Sequence, residues 1–178
     1  MHIIVKKKYL IYGKFKVKCS VGKKGTGIKK KEGDLITPKG CYELVNIFYR
    51  SDRVSELSSK FKLISIKKNM GWCDDPRSKQ YNKLIKLPFG YRFEKLYRRD
   101  YIYDIILVLN YNMFPAKKNK GSAIFIHVSN KNYKPTKGCI AIKKNELIRL
   151  VSLIKKKNKS KNFLRSATKY RTTYSHKC

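Results

Sequence analysis

Long hydrophobic runs are missing from this sequence. No apolar stretch approaches the roughly 18 residues of a membrane-spanning helix, so the sequence predicts no transmembrane segment. The N-terminus, MHIIVKKKYLIYGKFKV, has only short apolar pieces broken by lysines. It carries neither a continuous hydrophobic region nor a small-residue cleavage site, and does not read as a standard signal peptide. Paired cysteines are missing too. Cys19, Cys41, Cys73, Cys139 and Cys178 form no CxxC pair and no Cys/His zinc spacing, so neither a metal site nor a disulfide framework is expected. Their odd number leaves at least one thiol free, and free thiols are usually buried and inert. Acidic residues are few: 11 Asp and Glu stand against 44 Lys and Arg, a formal charge of +33. Such an imbalance first suggests a polyanionic partner. The lysines, however, are spread along the whole length beside abundant Asn, Ile and Tyr. That is the composition an AT-rich genome imposes on any solvated surface. They gather into no recognisable RNA- or DNA-binding motif, which argues against nucleic acid as a specific partner. No internal repeat is visible.

What is present is a globular pattern. At 178 residues and 42% hydrophobic, the chain is long enough for one domain with a real core. Tyr9–Tyr12 and Phe15–Cys19 flank Gly13-Lys14 and predict a β-hairpin. Residues 20–40 read as a long Gly- and Lys-rich loop, ending in the turn Thr37-Pro38-Lys39-Gly40. Cys41–Val45 alternates like a strand. Residues 69–82, NMGWCDDPRSKQYN, read as an irregular patch holding the only tryptophan, Trp72. There, Trp72 either packs or lines a site, and Asp74 or Asp75 either caps a turn or meets a ligand. Tyr101–Asn112 is apolar on both faces and belongs inside a sheet. Ala123–Val128 is a further strand, with Ala123, Phe125 and His127 on one face. Asn145 reads as the N-cap of the clearest helix, with Leu147, Leu150, Val151 and Ile154 at helical spacing. Beyond Lys155 the sequence is basic and without a core pattern, a tail expected to be flexible or to lie on a surface.

One stretch carries chemistry: Gly121 to Ile142, GSAIFIHVSNKNYKPTKGCIAI. His127 ends an apolar run, and Cys139 follows a glycine after a loop long enough to fold back. A thiol is nucleophilic as the thiolate, so it needs a base beside it or a lowered pKa, and imidazole is the natural base near neutral pH. Gly138 lets backbone approach a substrate, and the amides at Gly138 and Cys139 suit an oxyanion hole. Lys137 could help lower the thiol pKa. Taken alone, a single His and a single Cys are more often core residues. Cys73 is a rival nucleophile, but neighbouring carboxylates raise a thiol pKa and favour Cys139 as the thiolate.

The block IFIHVSNKNYKPTKGCIAI resembles the catalytic core of the L,D-transpeptidase (YkuD-type) family, whose signature is a His, a loop and Ser/Thr-x-Gly-Cys. The match is closest to a subgroup with Pro-Thr-x-Gly-Cys-Val/Ile-Ala, here Pro135 to Ala141. Other blocks are similar in the same order: Glu32-Gly33-Asp34 with Thr37-Pro38-x-Gly40, Gly71 to Pro76 with Tyr81-Asn82, the strand ending at Asn112, and Gly121 to Phe125. The likeness spans about residues 15–152. Two positions depart from the wider family. Lys137 stands where a His is common, and Ala141 where an Arg is.

The resemblance implies a mainly β fold, a sandwich- or barrel-like mixed sheet with one or two helices, one of them C-terminal to the nucleophile loop. It implies a catalytic domain over residues 1–154 and the basic tail at 155–178. It implies a cysteine acyltransferase of bacterial peptidoglycan synthesis and cell shape: Cys139 as nucleophile, His127 as general base and acid, and Gly138 in the oxyanion hole. Trp72, Asp74, Asp75, Tyr133, Thr136, Lys137 and Asn112 are the expected substrate contacts. Asp74 or Asp75 would hold a substrate amine or orient His127. No metal or organic cofactor is expected. The partners implied are peptidoglycan stem peptides and an anionic envelope surface, and the place implied is the periplasm or envelope. Without a clear signal peptide, a cytoplasmic location stays open at this stage. Hydrolysis of the same thioester, a basic nucleic-acid-binding protein and a non-catalytic wall-peptide binder are the alternatives.

Overall fold

In the computed structural model, residues 3–6 and 8–155 are described. The basic tail expected from residue 155 falls almost wholly outside them. The strands are β1 Ile4–Lys6, β2 Tyr9–Tyr12, β3 Phe15–Lys18, β4 Thr26–Gly27, β5 Thr37–Pro38, β6 Leu44–Tyr49, β7 Leu63–Ser65, β8 Met70–Cys73, β9 Leu84–Lys86, β10 Phe93–Lys95, β11 Ile105–Leu109, β12 Phe125–Val128 and β13 Ile140–Ile142. One helix, α1 Lys144–Leu153, follows β13. The fold is mainly β with mixed sheets.

A five-stranded sheet, ordered β13-β12-β11-β6-β7, carries the core. β11 lies antiparallel to both neighbours, while β12–β13 and β6–β7 are parallel. Every residue of β11 is buried, as a strand apolar on both faces requires. Ile105, Leu107 and Leu109 join Leu147, Leu150 and Val151 of α1 and Leu10 of the β2–β3 hairpin on one face. Ile106 and Val108 meet Trp72, Tyr103 and Phe125 on the other. That second face is covered by the antiparallel sheet β10-β8-β9. The outer edge of β13 is covered as well: Ser20 and Ala141 exchange backbone bonds of 2.8 and 3.0 Å. Covering removes an open edge that could otherwise pair with another chain.

The hairpin at Gly13-Lys14 forms as expected, with Tyr12 opposite Phe15 and Gly13 at φ 59°. Other boundaries move. The strand expected over 101–112 is confined to Ile105–Leu109, because Tyr101–Asp104 closes a turn through an Asp104 N–H bond to the Tyr101 carbonyl. The expected 123–128 strand starts at Phe125, since Ala123 sits at φ 52°. The 41–45 strand begins later, at Leu44. Met70–Cys73, expected to be irregular, is the central strand of its sheet. The long loop of 20–40 contains β4 and β5, paired in parallel. The N-cap of α1 is Lys143, without a side-chain cap bond. Asn145 lies inside the first turn, and its Oδ1 accepts from the Glu146 amide at 2.9 Å.

Candidate active site

The parallel pairing of β12 with β13 builds the site. Ile126 stands opposite Ile140 and His127 opposite Ala141. Cys139, immediately before β13, therefore falls on the same sheet face as Phe125 and His127. His127 and Cys139 both line one cavity of about 980 Å³.

The nucleophile turn is clamped by two threonines. Thr136 Oγ1 donates to the Cys139 carbonyl at 2.6 Å and accepts from the Gly138 amide at 3.1 Å. Thr37 Oγ1 donates to the same carbonyl at 3.3 Å and accepts from the Gly22 amide at 2.8 Å. Gly138 takes φ 143°, a conformation a side chain would strain. The Gly138 N–H is thus engaged with Thr136, whereas the Cys139 N–H meets no protein acceptor among the described residues.

The thiol and imidazole rest neutral. Cys139 Sγ donates to the Ala123 carbonyl at 3.0 Å and accepts from the Phe125 amide at 3.4 Å. Burial and then the Glu94 carboxylate push the thiol up to about 12, against smaller opposing pulls from the Phe125 amide and Lys29. Burial brings His127 down to about 4. Its Nδ1 lies 2.9 Å from the Val128 carbonyl. A carbonyl only accepts, so Nδ1 carries the proton and Nε2 is the basic atom. The edge of Tyr103 packs on the imidazole, with ring centroids 5.5 Å apart. The Tyr103 hydroxyl donates to Glu94 Oε1 at 2.6 Å.

The expected contact residues divide. Asp74, Asp75, Thr136 and Lys137 line the cavity. Asp75 accepts from the Arg77 amide at 3.0 Å and from its guanidinium at 2.7 Å, and Asp74 accepts from Arg92 Nε at 3.0 Å. Both carboxylates are therefore paired with arginines, and neither bonds His127. Trp72, Tyr133 and Asn112 are not brought to the cavity. Trp72 is 2% exposed, donates to Asn82 Oδ1 at 2.9 Å and packs edge-on against Phe125. Asn112 Nδ2 donates to the Gly121 carbonyl at 2.8 Å and its Oδ1 accepts from the Lys117 amide at 2.8 Å, closing a loop. The Tyr133 ring receives Lys18 Nζ at 5.1 Å.

Sequence reasoning missed Glu94, Arg98, Arg92 and Lys29, all lining the cavity. They stand alone in segments without a motif, so no local signal marked them. Cys19, Cys73 and Cys139 are free thiols, with Cys19 and Cys73 buried. Cys73 has no exposed surface, which removes it as an accessible rival. Cys41 is disulfide-bonded. No group of three or more metal-ligating side chains occurs among the described residues. No described helix is long and apolar enough to cross a membrane.

A free thiol and a basic imidazole on one sheet face, in a cavity of a mainly β scaffold, define a thiol–imidazole site. The model of the L,D-transpeptidase catalytic domain (YkuD) family matches residues 2–161. The chain belongs to that family. Membership implies an L,D-transpeptidase-type enzyme with a peptidoglycan-related function, and such proteins are typically envelope-associated. No curated protein and no solved structure matches the chain.

Proposed function

We propose that this protein is a cysteine acyltransferase that cross-links peptidoglycan stem peptides. The observation that carries the reading is the placement of Cys139 and His127 on one face of β12–β13, open to a single cavity. In the first step the thiol proton leaves the Ala123 carbonyl for His127 Nε2. Sγ attacks the carbonyl of the L-centre of meso-diaminopimelate in a tetrapeptide stem. The developing oxyanion takes the unpartnered Cys139 N–H. Collapse breaks the peptide bond, and His127 returns the proton to the departing D-Ala amine. In the second step an amine of another stem attacks the thioester and gives up its proton to His127. Cys139 leaves as the thiol, and a cross-link is formed. Water in place of the amine yields a trimmed stem.

A thiol raised to about 12 beside an imidazole lowered to about 4 favours proton transfer concerted with attack over a resting ion pair. Lys137, which lines the cavity and has no ion-pair partner among the described residues, suits a carboxylate of a stem peptide. The charge of +33 suits retention on an anionic envelope surface. The test is D-Ala release from a tetrapeptide stem. Cys139→Ala abolishes it, and Cys73→Ala leaves most of it. The reverse pattern overturns the assignment.

A further inference from the structure

Lys29 is a buried cation beside the site that the two-step chemistry does not use. A lysine is almost never fully buried without a partner, yet its side chain is 2% exposed. Its Nζ donates to Asp34 Oδ1 at 2.5 Å and to the Ile36 carbonyl at 3.1 Å. That uses two of the three ammonium donors. Asp34 is itself fixed, accepting from the Lys30 amide at 2.8 Å and the Ile36 amide at 3.1 Å. The lysine stem runs past Gly121, where a methyl would meet Cε at 2.2 Å. Its head ends under the nucleophile turn. A methyl on Gly138 would stand 3.6 Å from Lys29 Nζ. Lys29 and Cys139 line the same cavity.

We propose that Lys29 is a positioning residue for the nucleophile: from beneath Gly138, its ammonium steadies the Cys139 turn and favours thiolate over thiol. The inference rests on Cys139 being the nucleophile. Other groups facing the cavity do not supply that charge: Arg77, Arg92 and Arg98 are paired with Asp75, Asp74 and Asp100. Glu94 from β10 opposes it. Tyr103, raised well above 10 by burial, and His127, lowered to about 4, are neutral at pH 7. Lys137, on the nucleophile's own loop, is exposed, and solvent screens it. Lys29 acts against the thiol's high pKa, and Asp34, ion-paired to the same ammonium, attenuates that action.

This arrangement makes opposite predictions for the two partners. The full chain, as Lys29→Met, as Asp34→Asn and unchanged, is alkylated with iodoacetamide between about pH 7.5 and 9.5. Modification of the Cys139 peptide is followed by mass spectrometry. Below the thiol pKa the rate follows the thiolate fraction, so a shift of half to one pKa unit reads as roughly a 3- to 10-fold change. Lys29→Met slows Cys139 by about that factor. At the low-pH end of that range Asp34→Asn, which removes the counter-charge while the Ile36 carbonyl still accepts from the ammonium, speeds it. Both variants moving the same way, or neither moving, is the behaviour of a purely structural strut and overturns the proposal. Should Lys29→Met fail to fold, Asp34→Asn decides alone: faster supports, equal or slower overturns. A Cys139 that is inert in the unchanged chain overturns the nucleophile reading and this inference together. Unshifted variants beside a reactive unchanged chain overturn the Lys29 role alone.

Discussion

Replacing Asn82 by alanine should be the most damaging single change away from the reacting groups. Asn82 is 2% exposed and its amide is fully committed. Oδ1 accepts from Trp72 Nε1 at 2.9 Å and from the Ala123 amide at 3.0 Å. Nδ2 donates to the carbonyls of Tyr111 at 3.0 Å and Asn112 at 2.7 Å. Four bonds, two buried and two part-buried, at about 1 kcal/mol each set the loss near 4 kcal/mol, because alanine leaves every partner unsatisfied. The residue also sits at φ 58°, where Asn is tolerated better than Ala. Against the 5–15 kcal/mol typical of a domain, such a loss is severe. It corresponds to a fall in Tm of roughly 10–15 °C for a chain of this size. Urea unfolding and thermal unfolding by circular dichroism measure it. The effect should reach the site as well. Asn82 holds the Ala123 amide, and the Ala123 carbonyl accepts the Cys139 thiol, so thiol alkylation at pH 8 should change too. A loss below about 1 kcal/mol with unchanged alkylation would show that water replaces the amide and that Asn82 does not hold the site together.

Two further outcomes follow from the same contacts. His127 is buried neutral and titrates near 4 in the folded chain against about 6.5 when unfolded. The unfolded state therefore binds the extra proton between those values, and stability falls as pH drops from about 6.5 to 4, by about 3 kcal/mol. His127→Gln should flatten that part of a stability–pH curve measured by urea unfolding, and a slope retained in the variant refutes the assignment. Thr136→Val removes one bond to the Cys139 carbonyl and the acceptor of the Gly138 amide. It should lower kcat for D-Ala release at least 10-fold while costing only about 1–2 kcal/mol of stability. An unchanged kcat removes the clamp from the account.

Period-2 alternation and a Gly-Cys turn mark His127 and Cys139 locally, but it was the resemblance to the L,D-transpeptidase core that set them apart from ordinary core residues. The surrounding motifs were legible as markers, but their roles were not. Glu32 of the Glu-Gly-Asp block accepts from the Tyr81 hydroxyl and from Ser122 Oγ. Asp34 holds Lys29, Thr37 holds the Cys139 carbonyl, and Trp72 meets Asn82. These family-similar blocks brace one another behind the nucleophile, while Asp74 and Asp75 of the Trp72 loop line the cavity. Their partners lie far away in sequence, 102 positions for Thr37 and Cys139. No periodicity reports such contacts. Strand ends were misplaced for a related reason. Ala123 looks like strand by side chain, but tertiary bonds to its amide and carbonyl hold it at φ 52°.

The central claim is that Cys139 becomes acylated by a stem peptide. Mass spectrometry of the protein incubated with a tetrapeptide stem tests it most directly. The expected result is a thioester adduct on the Cys139 peptide, free D-Ala in equal amount, and loss of the adduct on adding an amine acceptor. An adduct on Cys73, or D-Ala released with no adduct and undiminished by Cys139→Ala, would contradict it.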